Sequence, residues 1–285
     1  MNVADAMTPA EKLVTVSLPG TRDDVLTYLQ DHGFSSVPVV KDVDGVSVFR
    51  GLVSRDDLIE NPDEDQLALL MREVPTIGTD ATLSEAAALM VREGARRVPV
   101  TSGAEQPTLD GIITVTDVIR AIARGNANGE ATVGLLATAE VNTTYIETPL
   151  PVAEREIYYS NVPYAVVLDD DAEMAGIITE ADIVKVARVV EGEDNTGESI
   201  AEQDSEWAWE GIKAVGGRYL PTRNVEIPVE PVSEFMTADT VTVSKRRTAK
   251  EAAQEMISSD IEQIPLVSGG ELVGMVRDID LLEAV

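Results

Sequence analysis

The sequence predicts an α/β (α+β) fold built from four copies of one βαββα unit. Three observations predict it. An apolar-Pro-apolar strand recurs, a glycine is followed six residues later by aspartate, and a Thr-x-x-Asp/Glu helix start lies 17 residues before the strand proline in three of the copies. The strand and turn pairs read SSVPVV with GLVSRDD, RRVPVT with GIITVTD, SNVPYAVV with GIITEAD, and EQIPLV with GMVRDID. The glycine–aspartate pairs are Gly51 and Asp57, Gly111 and Asp117, Gly176 and Asp182, and Gly274 and Asp280. Fixed spacing over four copies is the mark of a duplicated supersecondary unit.

The first helix of each unit is opened by a capping box: Thr21 with Asp24, Thr82 with Glu85, and Thr248 with Glu251. The helices themselves read VLTYLQDHG, LSEAAALMVREG and AKEAAQEMISS, with Gly33 and Gly94 suited to helix ends. In the third copy, TPLPVAEREIYY is two residues shorter to the proline and carries prolines at the helix start. Two short strands bracket a turn, and DDLIE, DVIRAIARG, DIVKVARVV and DLLEA read as second helices. The units span 1–62, 72–126, 133–191 and 232–285, with 192–231 as an insert. A unit this small buries its strands poorly alone, so neighbouring units are expected to pair.

Composition narrows the function. The 285 residues are 44% hydrophobic without an apolar run of membrane-spanning length, and the N-terminal stretch lacks a secretory layout, so a cytoplasmic protein with no membrane association is expected. Cysteine is absent and His32 is the only histidine, placed beside Gly33 where an imidazole meets the negative end of a helix dipole; no metal site is predicted. No phosphate loop, dinucleotide glycine pattern or nucleophile with a histidine base is found, so the chain reads as non-enzymatic. The net charge of −29 is spread along the whole chain. Such self-repulsion is tolerable when screened, which points to a salt-rich, halophilic cytoplasm.

With its βαββα order and this spacing, the chain resembles the CBS (cystathionine-β-synthase) domain family, and the resemblance covers nearly everything outside 192–231. It is similar to the stand-alone archaeal four-repeat type and to the γ subunit of AMP-activated kinase. The resemblance implies that repeats 1 and 2, and repeats 3 and 4, pair face to face as two Bateman modules stacked into a pseudo-symmetric disc. It also implies a regulatory, energy-sensing protein that binds an adenine nucleotide. By that resemblance Asp57, Asp117, Asp182 and Asp280 grip ribose, Ser54, Thr114 and Thr179 touch phosphate, and Val37, Val98, Val162 and Ile264 flank the base.

The residues alone support two readings of Ser54 with Asp57, Thr114 with Asp117, and Thr179 with Asp182. Each is a sufficient capping box, and each also marks a helix N-terminus able to attract phosphate. Arg96 and Arg97 stand where they could neutralise phosphate, and Arg277, in place of a hydroxyl, either strengthens or blocks the fourth site. AMP, ADP, ATP and S-adenosylmethionine all remain open as ligands.

Between the third and fourth copies the Asp-to-Asp interval grows to 98 residues, against 60 and 65 earlier. The insert holds Trp207 and Trp209, then an acid-free stretch with Lys213, Arg218, Tyr219 and Arg223. Lys245, Arg246, Arg247 and Lys250 of KRRTAK follow as a second basic cluster. The tryptophans suit ordinary packing anchors. The cations and aromatics together suit a protein or ribonucleoprotein partner, and an RNA- or ribosome-binding factor is the alternative function. Homodimers through the modules are a further expectation.

Overall fold

The four units carry out one backbone plan, and the plan is set by how each unit begins. In the computed structural model, residues 1–31, 36–54, 57, 58, 61, 64–103, 105–191, 209, 210 and 223–285 are described. A single helical turn leads each unit: Val3–Ala6, Leu67–Leu70, Val133–Leu136, and the 3-10 turn Val232–Glu234. A short strand or bridge follows, running parallel to the central strand of its own unit at Val16 with Val39, Ile77 with Val100, Thr144 with Val167, and Val243 with Leu266. The first helices are Arg22–Asp31, Leu83–Glu93, Leu150–Ser160 and Ala249–Ser259. Central strands Ser36–Val43, Arg97–Ser102, Tyr164–Leu168 and Gln263–Ser268 come next. They are paired with return strands Val46–Ser54, Thr108–Thr114, Met174–Thr179 and Glu271–Arg277, antiparallel in the first three units. Second helices at Val115–Arg124, Glu180–Val186 and Asp278–Leu281 close the second, third and fourth units.

The capping boxes explain why the first helices start where they do. Thr82 accepts from the Glu85 amide while the Glu85 carboxylate accepts from the Thr82 amide at 2.8 Å, and Thr248 with Glu251 repeats the pattern. The helices end on left-handed residues, Gly94, Asn161 and Asp260. At the first helical position Leu83, Leu150 and Ala249 are buried, but the first repeat has Arg22 there. Arg22 is buried too, its guanidinium donating to the carbonyls of Leu58 at 2.7 Å and Asn61 at 3.0 Å.

The register corrects the alignment of the third copy. Its helix is capped by Pro149, not Thr148, and 17 residues on from Pro149 stands Val166, the position of Pro38, Pro99 and Pro265. Val167 faces Gly176 across the ladder just as Val39 faces Gly51 and Val100 faces Gly111, each with a bulge immediately after. The third copy is therefore not shorter. Pro163 lies in the turn entering the strand, and a proline there imitates the strand proline in sequence.

Each motif glycine is the point where another repeat's backbone enters. A Cβ on Gly51 would lie 2.3 Å from the Arg72 carbonyl oxygen, on Gly111 2.5 Å from that of Thr8, and on Gly176 2.6 Å from that of Thr237. The residue after each glycine forms the bridge: Leu52 with Arg72, Ile112 with Thr8, Ile177 with Thr237, and Met275 with Thr138. The leading segment of repeat 2 thus sits on repeat 1 and that of repeat 1 on repeat 2, and repeats 3 and 4 exchange in the same way. The helix caps exchange as well, through Asn2 with Thr82, Thr21 with Gln66, Thr132 with Thr248, and Pro149 with Pro231.

Two units follow along the chain, one of residues 1–137, 244–264 and 276–285, the other of 138–243 and 265–275. In the first, Val25 and Leu29 of the first helix pack on Val37, Val39 and Val53, and the first helix of repeat 4 lies on the second helix of repeat 2, where Gln254 donates to the Ala123 carbonyl. In the second, Leu150, Ala153 and Ile157 cover Ala165, Val167 and Ile178. The insert leaves and re-enters through an antiparallel pair, Arg188–Glu191 with Arg223–Glu226, and Trp209–Glu210 adds a third strand. Trp207, Lys213, Arg218, Tyr219 and His32 lie outside the described residues, as do the side chains of Trp209 and Arg223.

The exchange makes a prediction. Gly111→Ala forces a methyl against the Thr8 carbonyl and is expected to cost about 1–3 kcal/mol of unfolding free energy, the usual range for overpacking, read from urea denaturation. An unchanged midpoint would show that the leading segment is not held there.

Candidate functional site

The three Ser/Thr-x-x-Asp elements fold as reciprocal caps. In repeat 2 the Thr114 amide and hydroxyl donate to Asp117 Oδ2 at 2.9 and 2.7 Å, and the Asp117 amide donates back to the hydroxyl. Ser54 with Asp57 and Thr179 with Asp182 do the same. The other carboxylate oxygen meets a cation every time: Arg72 at Asp57, Arg120 at Asp117, Lys185 at Asp182, and Arg277 at Asp280. These aspartates do not face bulk water, since their side chains are only 4%, 11%, 16% and 13% exposed in chain order.

Arg277 keeps half of the cap. Its amide donates to Asp280 Oδ2 at 2.8 Å, while its guanidinium replaces the hydroxyl by gripping the same carboxylate with Nε at 3.1 Å and Nη2 at 2.7 Å. The fourth site is thus self-paired, with its cation spent on its own aspartate.

Strand alternation decides which side chains accompany these caps. Val37 and Val98 are fully buried, and Val37 packs beneath the helices with Val25, Leu29 and Leu58. Ile264 is fully buried as well. Only the backbone at these positions can reach a ligand. In the third repeat the equivalent is Ala165, opposite Ile178, as Val37 is opposite Val53 and Val98 opposite Ile113. Val162 precedes the strand and does not hold that place. The residues across the ladder from the capping hydroxyls are Ser36 opposite Ser54, Arg97 opposite Thr114, and Tyr164 opposite Thr179. Sequence reading did not single out Ser36 or Tyr164; counting one residue back from the buried strand position would have found both.

Arg97 belongs to both repeats of its pair. Its Nη1 donates to Ser36 Oγ at 3.0 Å, so the ladder position of repeat 2 meets that of repeat 1. Burial first, and the neighbouring Arg96 charge second, push its guanidinium below the usual arginine range despite Glu262. Arg96 is used otherwise. It holds Asp278 with two parallel bonds, 3.1 and 2.6 Å, and reaches Glu262 at 3.2 Å. Burial pulls the Arg96 value down, but Asp278 and Glu262 carry it above the usual range. Asp278 is itself buried, and its amide donates to the Glu262 carbonyl at 2.7 Å.

A family model for the CBS domain matches residues 3–64, 67–124, 133–188 and 232–285. The chain belongs to the CBS domain family. Among relatives of this CBS protein, MJ1404 of Methanocaldococcus jannaschii is 24% identical over 283 residues, 99% of this chain. The chain spans 61% of that relative's length. The crystal structure of a conserved protein from Pyrococcus horikoshii matches with a TM-score of 0.69 and 27% identity, covering 99% of both chains. That of MJ1225 from Methanocaldococcus jannaschii, described as a proposed archaeal homolog of g-AMPK, matches with a TM-score of 0.64 and 20% identity over 99% of both, which speaks for the fold.

Of the basic cluster, Lys245, Arg246 and Arg247 are exposed, and Arg247 pairs with Glu251 at 2.5 Å. Lys250 lies beside Gly125, at the end of the second helix of repeat 2, where a cation meets the helix dipole favourably. Among the described residues no helix is long and apolar enough to cross a membrane, and no cluster of three or more acidic or histidine side chains is placed to hold a metal ion.

The Asp182 carboxyl lies below its ordinary value of 3.8: burial acts against the charge, but the Lys185 and Thr179 hydrogen bonds together outweigh it. A depressed folded value means stability that is full above 3.8 and lost as the pH falls through the lower folded value. Asp182→Asn is therefore expected to be less stable than the parent at pH 7, with the gap closing below 3.8, in urea denaturation at a series of pH values. A gap independent of pH would contradict this assignment.

Proposed function

We propose that this CBS protein is a non-catalytic regulator that binds an adenine nucleotide on the face shared by repeats 1 and 2 and thereby changes its affinity for a protein or ribonucleoprotein partner. The observation that carries the reading is the meeting of Arg97 with Ser36 beside the Ser54–Asp57 and Thr114–Asp117 pairs. A half-buried guanidinium whose described hydrogen bond goes to a neutral hydroxyl has N–H donors that can take an anion. The helix Val115–Arg124 adds its positive end, and the Thr116 amide at its second position has no acceptor within the helix. Asp117 and Asp57, each paired with an arginine, can accept from ribose hydroxyls. The backbone at Val98 and Val37 can hold adenine edges. The proposed γ-AMPK kinship of MJ1225, which shares this fold, agrees with an energy-sensing role.

AMP, ADP, ATP and S-adenosylmethionine differ in how much charge they bring to Arg97. Titration calorimetry with each, at high salt, tests the reading. Asp117→Ala is expected to weaken the tightest ligand roughly 10- to 100-fold, the loss of a charge-assisted hydrogen bond of about 1.5–3 kcal/mol. Unchanged affinity in a folded variant, or no binding of any of the four, would contradict it. Because coupling is reciprocal, a partner captured from lysate must raise or lower the nucleotide affinity by the factor by which the nucleotide changes its own.

A further inference from the structure

The position that holds Arg97 in the first module holds Tyr164 in the third repeat, and the two residues make different surfaces. Both lie across the ladder from the capping threonine, Thr114 or Thr179. Arg97 is half-buried and hydrogen-bonds Ser36, whereas Tyr164 is 1% exposed and is the largest fully buried side chain among the described residues. It packs with Val166 and Ile177 of repeat 3 and Met275 of repeat 4, and Val162, Leu168 and Leu272 complete the cluster. The shared face of repeats 3 and 4 is thus filled by an aromatic ring and aliphatic neighbours at the place where repeats 1 and 2 meet through a guanidinium and a hydroxyl. Val166 also replaces the strand proline there, adding a further aliphatic side chain.

Burying a phosphate among such groups strips its hydration, and among the described residues no cation stands at this ladder position to offset that loss. The third repeat's second helix, Glu180–Val186, is only seven residues long and carries Glu180 at its first position, which disfavours an anion. Burial first and Glu154 second raise the Glu180 carboxyl above its ordinary range, in keeping with a site where negative charge is unwelcome.

We infer that Tyr164 is the residue that closes the third repeat to nucleotide, so that the module of repeats 3 and 4 is a permanently packed scaffold and ligand is confined to the module of repeats 1 and 2. This rests on the nucleotide reading above. Photolabelling of the full chain with 8-azido-AMP, followed by peptide mapping, tests it. Label is expected on peptides around 36–54 and 97–117, with none on 164–182. Tyr164→Ser, which empties the ring's place, should gain label around Thr179, and Tyr164→Phe, which keeps the ring, should label as the parent does. Label on the third repeat of the parent, or a folded Tyr164→Ser that gains none, would overturn the closure while leaving the nucleotide reading intact. No label anywhere would overturn both.

Discussion

The structure depends on a close approach of two backbones at a glycine. In repeats 1, 2 and 3 the leading segment of the partner repeat presses a carbonyl to within 2.3–2.6 Å of where a Cβ would stand, a distance only glycine permits. Both backbone hydrogen bonds are made in three of the bridges: Leu52 and Arg72 exchange at 3.0 and 2.8 Å, Ile177 and Thr237 at 3.1 and 2.9 Å, and Met275 and Thr138 at 2.9 Å both ways. Since no repeat completes its own sheet edge, each must be paired, and the pairing of 1 with 2 and 3 with 4 follows. Pairing in turn creates the shared faces on which any ligand chemistry must be built.

Charge is handled by the same economy. Each motif aspartate spends one oxygen on capping and the other on a cation, which lets four carboxylates stand largely buried in a chain of net charge −29. The i,i+3 pairs among them are partly exposed and individually contribute little. Arg96 with Asp278 is different, because Asp278 is buried. Desolvation offsets much of the attraction in such a pair, but removing one partner strands the other, so it fixes how the second and fourth repeats meet more than it adds net stability.

Much of this was legible in the sequence. The period, the Gly-to-Asp spacing and three helix-opening caps are local patterns of backbone hydrogen bonding, and local patterns are written in adjacent residues. The third repeat misled because Pro163 imitates the strand proline, while the true ladder position is an unremarkable valine and the helix is capped by a proline with no side-chain oxygen. The direction of Val37 and Val98 into the core, and of Ser36, Arg97 and Tyr164 onto the other face, required the register. The partner of Arg96 lies 182 residues away, beyond any spacing rule, and the meaning of the glycine appears only once the carbonyl it admits is seen.

The exchange of leading segments is tested most directly by native-state hydrogen exchange of the amides of Arg72, Thr138 and Thr237. All three lie in connections between regular elements, where fast exchange is the default. If the bridges hold the repeats together, these amides open with the same free energy as Ile113 and Ile178 in the core strands. Exchange at the rate of an exposed loop would contradict the account.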